Sequence, residues 1–402
     1  MSVPTNNLYN FVTQALKNKF LVKYFYPWGE KGFKNIIDNC EDNQPKPLTE
    51  IFLNDKDDQP TIICYDQEPL DFELYSDDRL NQQLDQCKGR SKVCSKYTEY
   101  HDLNLRWEQP YSKLEHWVLL HSELNSPEVE QYESTGLFKC AYWWSHAVIA
   151  LDWYRFARYD NRLTDKSQPI KANFLVYARA TTGKRAYRKL FLEHLQHIDS
   201  VQLGSIDPTA VVTSDSSATY NPQDFAQTRC SIVLETVYDQ RIHLTEKTLR
   251  PLACGHPFLI LNGPGALETI RSYGFKTFQP YINESYDKEQ SPTKRMDMVL
   301  REMRRINNSS EKYQKYIWDG CAEIATYNKK LFFDDKFLWR VKTELRRNVH
   351  TIPPAKLTHQ RTRKLQTIKN RKQKLEMNQE ARIKTIQLYL RLKRAYYTTL
   401  SL

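Results

Sequence analysis

Short apolar runs of strand length, each closed by a polar or glycine-containing loop and followed by a helix-period segment, constrain this chain more than any other feature. Phe20 to Tyr26, Thr61 to Tyr65 and Trp117 to His121 are three such runs, and Ala147 to Leu151 reads as a fourth. A second set comprises Asn173 to Tyr177, Ser231 to Leu234 and Pro257 to Leu261, the last stopped by Asn262-Gly-Pro-Gly265. Runs this short and this apolar suit strands buried on both faces, as parallel sheets require. Alternation with helices supplies the crossovers, so the expected fold class is α/β with parallel sheets.

A length of 402 residues exceeds what one ordinary core organises. The polar stretch from Arg162 to Lys171, which contains Pro169, precedes a fresh strand-loop-helix unit. The expected division is therefore an N-terminal α/β domain over 1–165, a second over 166–354, and a tail over 355–402. The helical spacing of Tyr313, Tyr316, Ile317, Ile324, Leu331, Phe332, Leu338, Val341 and Leu345 predicts terminal helices packed on the second sheet. A hydrophobic content of 40% with 12% aromatics is that of a chain with cores to bury, which sets aside a disordered class.

The eight cysteines are scattered without a CxxC pair or a Cys/His cluster at zinc spacing, so they are expected to be reduced and mostly buried, with no metal site. No charged-then-apolar leader opens the sequence and no run of eighteen apolar residues occurs in it. A cytoplasmic protein without a membrane span is the expectation.

The net charge of +11 is localised: residues 355–402 hold 13 lysines and arginines against two acids, Glu376 and Glu380. That tail alone carries the whole formal charge, so the body holds equal numbers of basic and acidic side chains and no general case for a nucleic-acid surface. Over 361–394 the basic residues interleave with Leu365, Ile368, Leu375, Ile383, Ile386 and Leu390 at helical spacing. Three readings of this segment stay open: a peripheral contact with an anionic membrane surface, a nucleic-acid tether, or a helix packed on the body with its charges solvated.

Two segments carry a pattern suited to an anionic ligand. A diphosphate that becomes a leaving group needs cations and backbone donors where its charge develops, and helix N-termini with Lys or Arg supply these without a metal. After Tyr177 the chain reads Ala178-Arg-Ala-Thr-Thr-Gly-Lys-Arg185, placing Arg179, Lys184 and Arg185 between a strand's carboxyl end and a helix start. In Leu244-Thr-Glu-Lys-Thr248, Thr245 suits a helix cap whose first turn offers Lys247 to phosphate and Glu246 to a ribose diol. Taken singly, the first also suits a solvated turn and the second an ordinary helix start.

Phe225-Ala-Gln-Thr-Arg-Cys-Ser-Ile-Val-Leu-Glu235, followed by Thr245-Glu-Lys247, Gly255-His-Pro257 and Gly263-Pro264, resembles the α1,3-fucosyltransferase family. The similarity extends at a lower level over about 65–350, with Phe174 to Leu195 resembling the family's upstream strand, arginine loop and helix start. It implies a GT-B fold, two facing Rossmann-like domains, and an inverting transfer from a nucleoside-diphosphate sugar, a GDP-sugar foremost, with no metal or other cofactor required. By the same resemblance Arg185, with Lys184 as an equal alternative, binds the diphosphate, Lys247 binds phosphate, Glu246 holds the ribose and Glu235 faces the sugar. Ile62-Ile-Cys-Tyr-Asp-Gln-Glu68-Pro69 is similar to the family's Glu-x-Pro segment, which makes Glu68 the expected general base and Asp66 its rival. Both acids also suit a loop that caps a turn.

The chain departs from the family after Glu235, where Thr236-Val237 stands in place of Asn-Ser and the spacing to Thr245 is one residue longer. That leaves the donor's sugar and base open. Gly255-His-Pro-Phe-Leu-Ile260 and Tyr273-Gly-Phe275 also resemble proteins of tailed bacteriophages and large viruses, which implies work in a host cytoplasm on a glycan or on modified DNA. Two other classes are carried beside the enzyme: a non-catalytic structural or virion-associated protein, and a nucleic-acid binder acting through its basic tail. The Tyr142-Trp-Trp-Ser-His146 and Asp152-Trp-Tyr-Arg-Phe156 segments are expected to be core, with His146 a core histidine.

Overall fold

The computed structural model describes residues 11–16, 21–25, 61–65, 69–70, 117–134, 138–165, 167–204 and 215–350. Asp66, Glu68 and the basic tail over 355–402 lie outside the described residues, so the roles expected of them are not addressed by the structure.

Two four-stranded sheets form the framework. The N-terminal sheet runs β1 (Leu21–Phe25), β2 (Thr61–Tyr65), β3 (Trp117–His121) and β5 (Phe138–Tyr142) side by side, each pair parallel. β4 (Glu123–Leu124) leaves the end of β3 to pair elsewhere. The C-terminal sheet contains β6 (Ala172–Val176), β7 (Val201–Leu203), β8 (Thr228–Leu234) and β10 (Phe258–Leu261), in the spatial order β10-β8-β6-β7 and again parallel. All of β6 and β10 is buried, the condition that makes such strands apolar throughout. The expected α/β class with parallel sheets is what the structure has.

Helices cover and join the sheets: α1 (Pro127–Ser134), α2 (Ser145–Trp153), α3 (Tyr187–Leu195), α4 (Glu246–Cys254), α5 (Ala266–Ser272), α6 (Pro292–Asn307), α7 (Glu311–Phe332) and α8 (Asp335–His350). The terminal helical pattern is realised in α7 and α8. One expectation is corrected: Ala147 to Leu151 is not a strand but the middle of α2. A five-residue apolar run fits a buried strand and a fully enclosed helix equally, and here Ser145 through Ala150 are all buried, so no polar face marks the helical period. The fourth strand of that sheet is Phe138–Tyr142, whose Lys139 and Cys140 break the apolar run.

The two sheets share one continuous core. Trp144 within it is wholly buried, its backbone N–H donating to Glu344 Oε2 at 3.1 Å and its indole N–H to the Leu244 carbonyl at 2.8 Å. Burying one such indole is worth about 4 kcal/mol. α8 returns from the C-terminal half onto the N-terminal sheet, where Asn348 Nδ2 donates to the Tyr142 carbonyl at 2.8 Å. A two-stranded antiparallel ribbon completes the junction: β4 pairs with β9 (Ile242–His243), with Glu123 opposite His243.

Candidate functional site

Strand order determines where the C-terminal sheet opens. The chain leaves β6 toward β7 on one side, returns to β8 on the other side of β6, and then moves outward to β10. The loops that follow β6 and β8 therefore part in opposite directions at the carboxyl ends of these neighbouring strands, the place where open α/β sheets take ligands. Of the two sequence segments suited to an anion, the 178–185 loop follows β6, and Leu244 to Thr248 opens α4, tied through Thr245 to Glu235, the residue that follows β8.

Glu235 is fully buried, and its carboxylate organises the start of α4. Oε1 accepts from the Thr245 backbone N–H at 2.9 Å and from the Thr248 hydroxyl at 2.6 Å, while Oε2 accepts from the Thr245 hydroxyl at 2.6 Å. Thr245 is the N-cap, its Oγ1 accepting from the Lys247 N–H at 3.3 Å. A buried carboxylate with charge-assisted bonds to three donors is stable where it stands. Glu235 was expected to face a sugar; in this structure it acts by fixing the helix that carries Glu246 and Lys247.

Lys247 is half-buried on the first turn of α4. Its Nζ lies 2.7 Å from Glu246 Oε1 and 3.3 Å from both the Thr236 and Thr245 hydroxyls. Thr236, one of the residues at which the chain departs from the family resembled, thus belongs to the lysine's own shell. Burial raises the Glu246 carboxyl, but Lys247, His146 and Arg250 outweigh it and hold the group well below the usual carboxylate range. Glu246 is therefore ionised and in place as an acceptor, although its nearest partner here is the lysine rather than an open diol site.

Arg188, buried on α3, ties the loop after β6 to the end of β8. Its Nη1 donates to the Ala180 carbonyl at 3.2 Å, and Nη2 donates to the Leu234 and Glu235 carbonyls at 2.8 and 2.9 Å. The Tyr187 hydroxyl donates to the same Glu235 carbonyl at 2.5 Å. On the loop, Arg179 and Arg185 are half-buried and Lys184 is exposed. Gly183 takes φ +59° at the turn that presents Lys184 and Arg185, a conformation glycine adopts without strain.

Burial raises the Glu123 carboxyl while Arg241, and last Lys184, pull against it; at Asp239 the bonds and charge of Arg241 outweigh burial and hold the carboxyl low, with Lys184 again the smallest contributor. Those two acids flank Arg241, a buried guanidinium that meets Asp239 at 2.6 Å and lies 3.9 Å from Glu123 Oε2. The ribbon holding Glu123 is kept tight by Asn262, whose Nδ2 donates to the His243 carbonyl at 3.1 Å and whose Oδ1 accepts from the His243 N–H at 3.3 Å. Next to it Gly263 has no room for a side chain, because a Cβ there would fall on the Arg241 carbonyl.

Glu235, Thr245, Glu246 and Lys247 are thus brought together, and the 178–186 loop stands at the same strand ends. Sequence reasoning missed Arg188, Glu123, Arg241 and His243. A signal existed for Glu123: it follows the apolar run of β3 as Glu235 follows that of β8. His146 is buried as expected, its ring edge-on to His243 at 5.0 Å between centroids. Among the described residues no group of three or more His, Cys, Asp and Glu side chains could hold a metal ion, and no helix is long and apolar enough to cross a membrane. Compared with models of known protein families, with curated proteins and with solved structures, the chain has no significant match.

Proposed function

We propose that this chain is an inverting glycosyltransferase that binds a nucleoside-diphosphate sugar at the carboxyl ends of β6 and β8 and transfers the sugar to a hydroxyl acceptor. The observation that carries this reading is the placement of Lys247, on a helix start fixed by a buried carboxylate, at the topological switch point of a parallel sheet. Phosphate oxygens arriving there would replace the 3.3 Å hydroxyl contacts of Lys247 with charge-assisted bonds. Cations of the 178–186 loop would meet the diphosphate from the end of β6, and Glu246, kept ionised, would accept from a ribose hydroxyl.

As the bond to the anomeric carbon breaks, its electron pair passes to the diphosphate, and the fixed positive groups stabilise that charge. The likeness to the fucosyltransferase family favours a GDP-sugar and an acceptor that is a glycan or modified DNA. The experiment is release of nucleoside diphosphate from a panel of GDP- and UDP-sugars by the wild-type protein and by Lys247→Ala. Release from one series, reduced about a hundredfold or more in the variant, is the expected result. No release and no binding across the panel would favour the non-catalytic structural reading.

A further inference from the structure

The transfer also needs a group that takes the acceptor's proton. Among the buried carboxylates of the described residues most are already saturated. Glu235 holds three donors, Glu302 takes the Asn283 N–H and the Arg305 guanidinium, and Asp287 takes the backbone N–H groups of Leu267 and Glu268. Glu246 is bound to Lys247. Glu123 differs. Its Oε1 accepts from the Leu70 N–H at 2.9 Å, whereas Oε2, buried, has no hydrogen-bond donor.

We propose that Glu123 is the proton acceptor of the transfer reaction, an assignment that rests on the glycosyltransferase reading above. Glu123 stands at the carboxyl end of the N-terminal sheet, where β3 passes into β4, and faces the C-terminal half across the β4–β9 ribbon. The Leu70 bond fixes one oxygen and leaves the other for an incoming hydroxyl. Arg241 Nη1, 3.9 Å from Oε2, is too far for a hydrogen bond yet close enough to favour the ionised form, and Lys184 of the donor-side loop adds to that bias. Around this group stand His243 opposite, which burial keeps neutral, with Ser122 Oγ 3.1 Å from its Nε2, and the Asp239 carboxylate beyond Arg241. His121, two residues before Glu123, is also neutral at physiological pH, because burial lowers it to about 4.

Burial raises the Glu123 carboxyl to about 7 against the opposing pull of Arg241, the Ser126 hydroxyl, the Leu70 N–H and, least, Lys184, which suits a base working near neutrality. In the step, the acceptor O–H proton passes to Glu123 Oε2 while the acceptor oxygen bonds to the anomeric carbon. The bond from that carbon to the diphosphate oxygen breaks, and its electron pair leaves with the nucleotide. With water as acceptor the same transfer is donor hydrolysis, so no acceptor need be known for the test.

The experiment compares wild type, Glu123→Gln, Glu68→Gln and Arg241→Gln on the nucleotide sugar that stabilises the wild type most. Thermal shift by that nucleotide and its hydrolysis are both measured between pH 5 and 9. Glu123→Gln is expected to keep the nucleotide-induced shift and to lose about a hundredfold or more in turnover, together with the near-neutral rising limb. Arg241→Gln is expected to move that limb to higher pH, because the ionised carboxylate loses its cation. Undiminished hydrolysis in Glu123→Gln, or loss confined to Glu68→Gln, overturns the assignment while leaving the donor site standing. If Glu123→Gln does not fold, an unmoved limb in Arg241→Gln overturns it instead. No shift and no hydrolysis in the wild type overturns the glycosyltransferase reading, and this assignment falls with it.

Discussion

The Thr245 hydroxyl donates to Glu235 Oε2 at 2.6 Å, so the residue that caps α4 is held by the residue that directly follows β8. They stand ten positions apart in sequence, and this bond closes the segment between them, which includes β9. Thr245→Val removes both that charge-assisted bond and the helix cap, whereas Thr248→Val removes only a bond to Oε1. We expect Thr245→Val to cost about 2–4 kcal/mol and Thr248→Val about 1.5–3 kcal/mol. Urea unfolding of the two variants checks the order; an equal or reversed cost would contradict the capping role.

Glycine is required at two positions for different reasons. A Cβ on Gly263 would strike the Arg241 carbonyl, a backbone atom that moves only if the β4–β9 ribbon shifts, whereas a Cβ on Gly183 meets nothing and only the φ of +59° is strained. Gly263→Ala is expected to cost about 3 kcal/mol and Gly183→Ala about 1 kcal/mol. Thermal unfolding of both variants measures the difference, and similar losses would argue against the close approach.

Glu123 makes a pH prediction that does not depend on catalysis. Its folded carboxyl is raised to about 7 from an ordinary value of 4.5, so its contribution to stability is full below the unfolded value and is lost as pH rises through 7. Glutamine carries no such dependence. The stability of Glu123→Gln relative to wild type should therefore rise between pH 4.5 and 7, by an amount on the order of 3 kcal/mol, and level off above. A difference that stays flat across this range would show that Glu123 ionises normally.

His256 behaves in the opposite sense. Burial lowers it to about 4, its Nε2–H donates to the Thr228 carbonyl at 3.1 Å, and the Ser231 hydroxyl lies 2.8 Å from Nδ1. The stability it lends is complete above 6.5 and is lost as pH falls toward 4. A histidine ring-proton NMR titration should find its midpoint about 4; a midpoint near 6.5 would mean that the site admits water.

The class of the fold was legible because runs such as Asn173 to Tyr177 and Pro257 to Leu261 are short, apolar and closed by turn residues. Ala147 to Leu151 was misread because a helix buried all round shows no period. In β5, Lys139 and Cys140 lie at intermediate exposure and hide the strand. The helix start at Thr245 was visible as a cap before an acidic and a basic residue, but the work of Glu235 was not, since nothing local says that a strand-end acid will turn onto a helix ten residues on. The pairing of Glu123 with Arg241 was invisible for a related reason: they lie 118 residues apart and meet only where β4 pairs with β9. Contacts of that separation are set by topology rather than by local pattern.

The most direct test of the donor site is the thermal stability of the wild type and of Lys247→Ala in the presence of nucleoside diphosphates and their sugars, GDP and UDP series included. A ligand at a hundred times its Kd stabilises the folded state by about 2.7 kcal/mol, enough to raise Tm measurably. Stabilisation by one nucleotide series in the wild type, lost in Lys247→Ala, is the expected result. Unchanged Tm with every nucleotide, or stabilisation that survives in Lys247→Ala undiminished, would contradict a diphosphate site at the ends of β6 and β8.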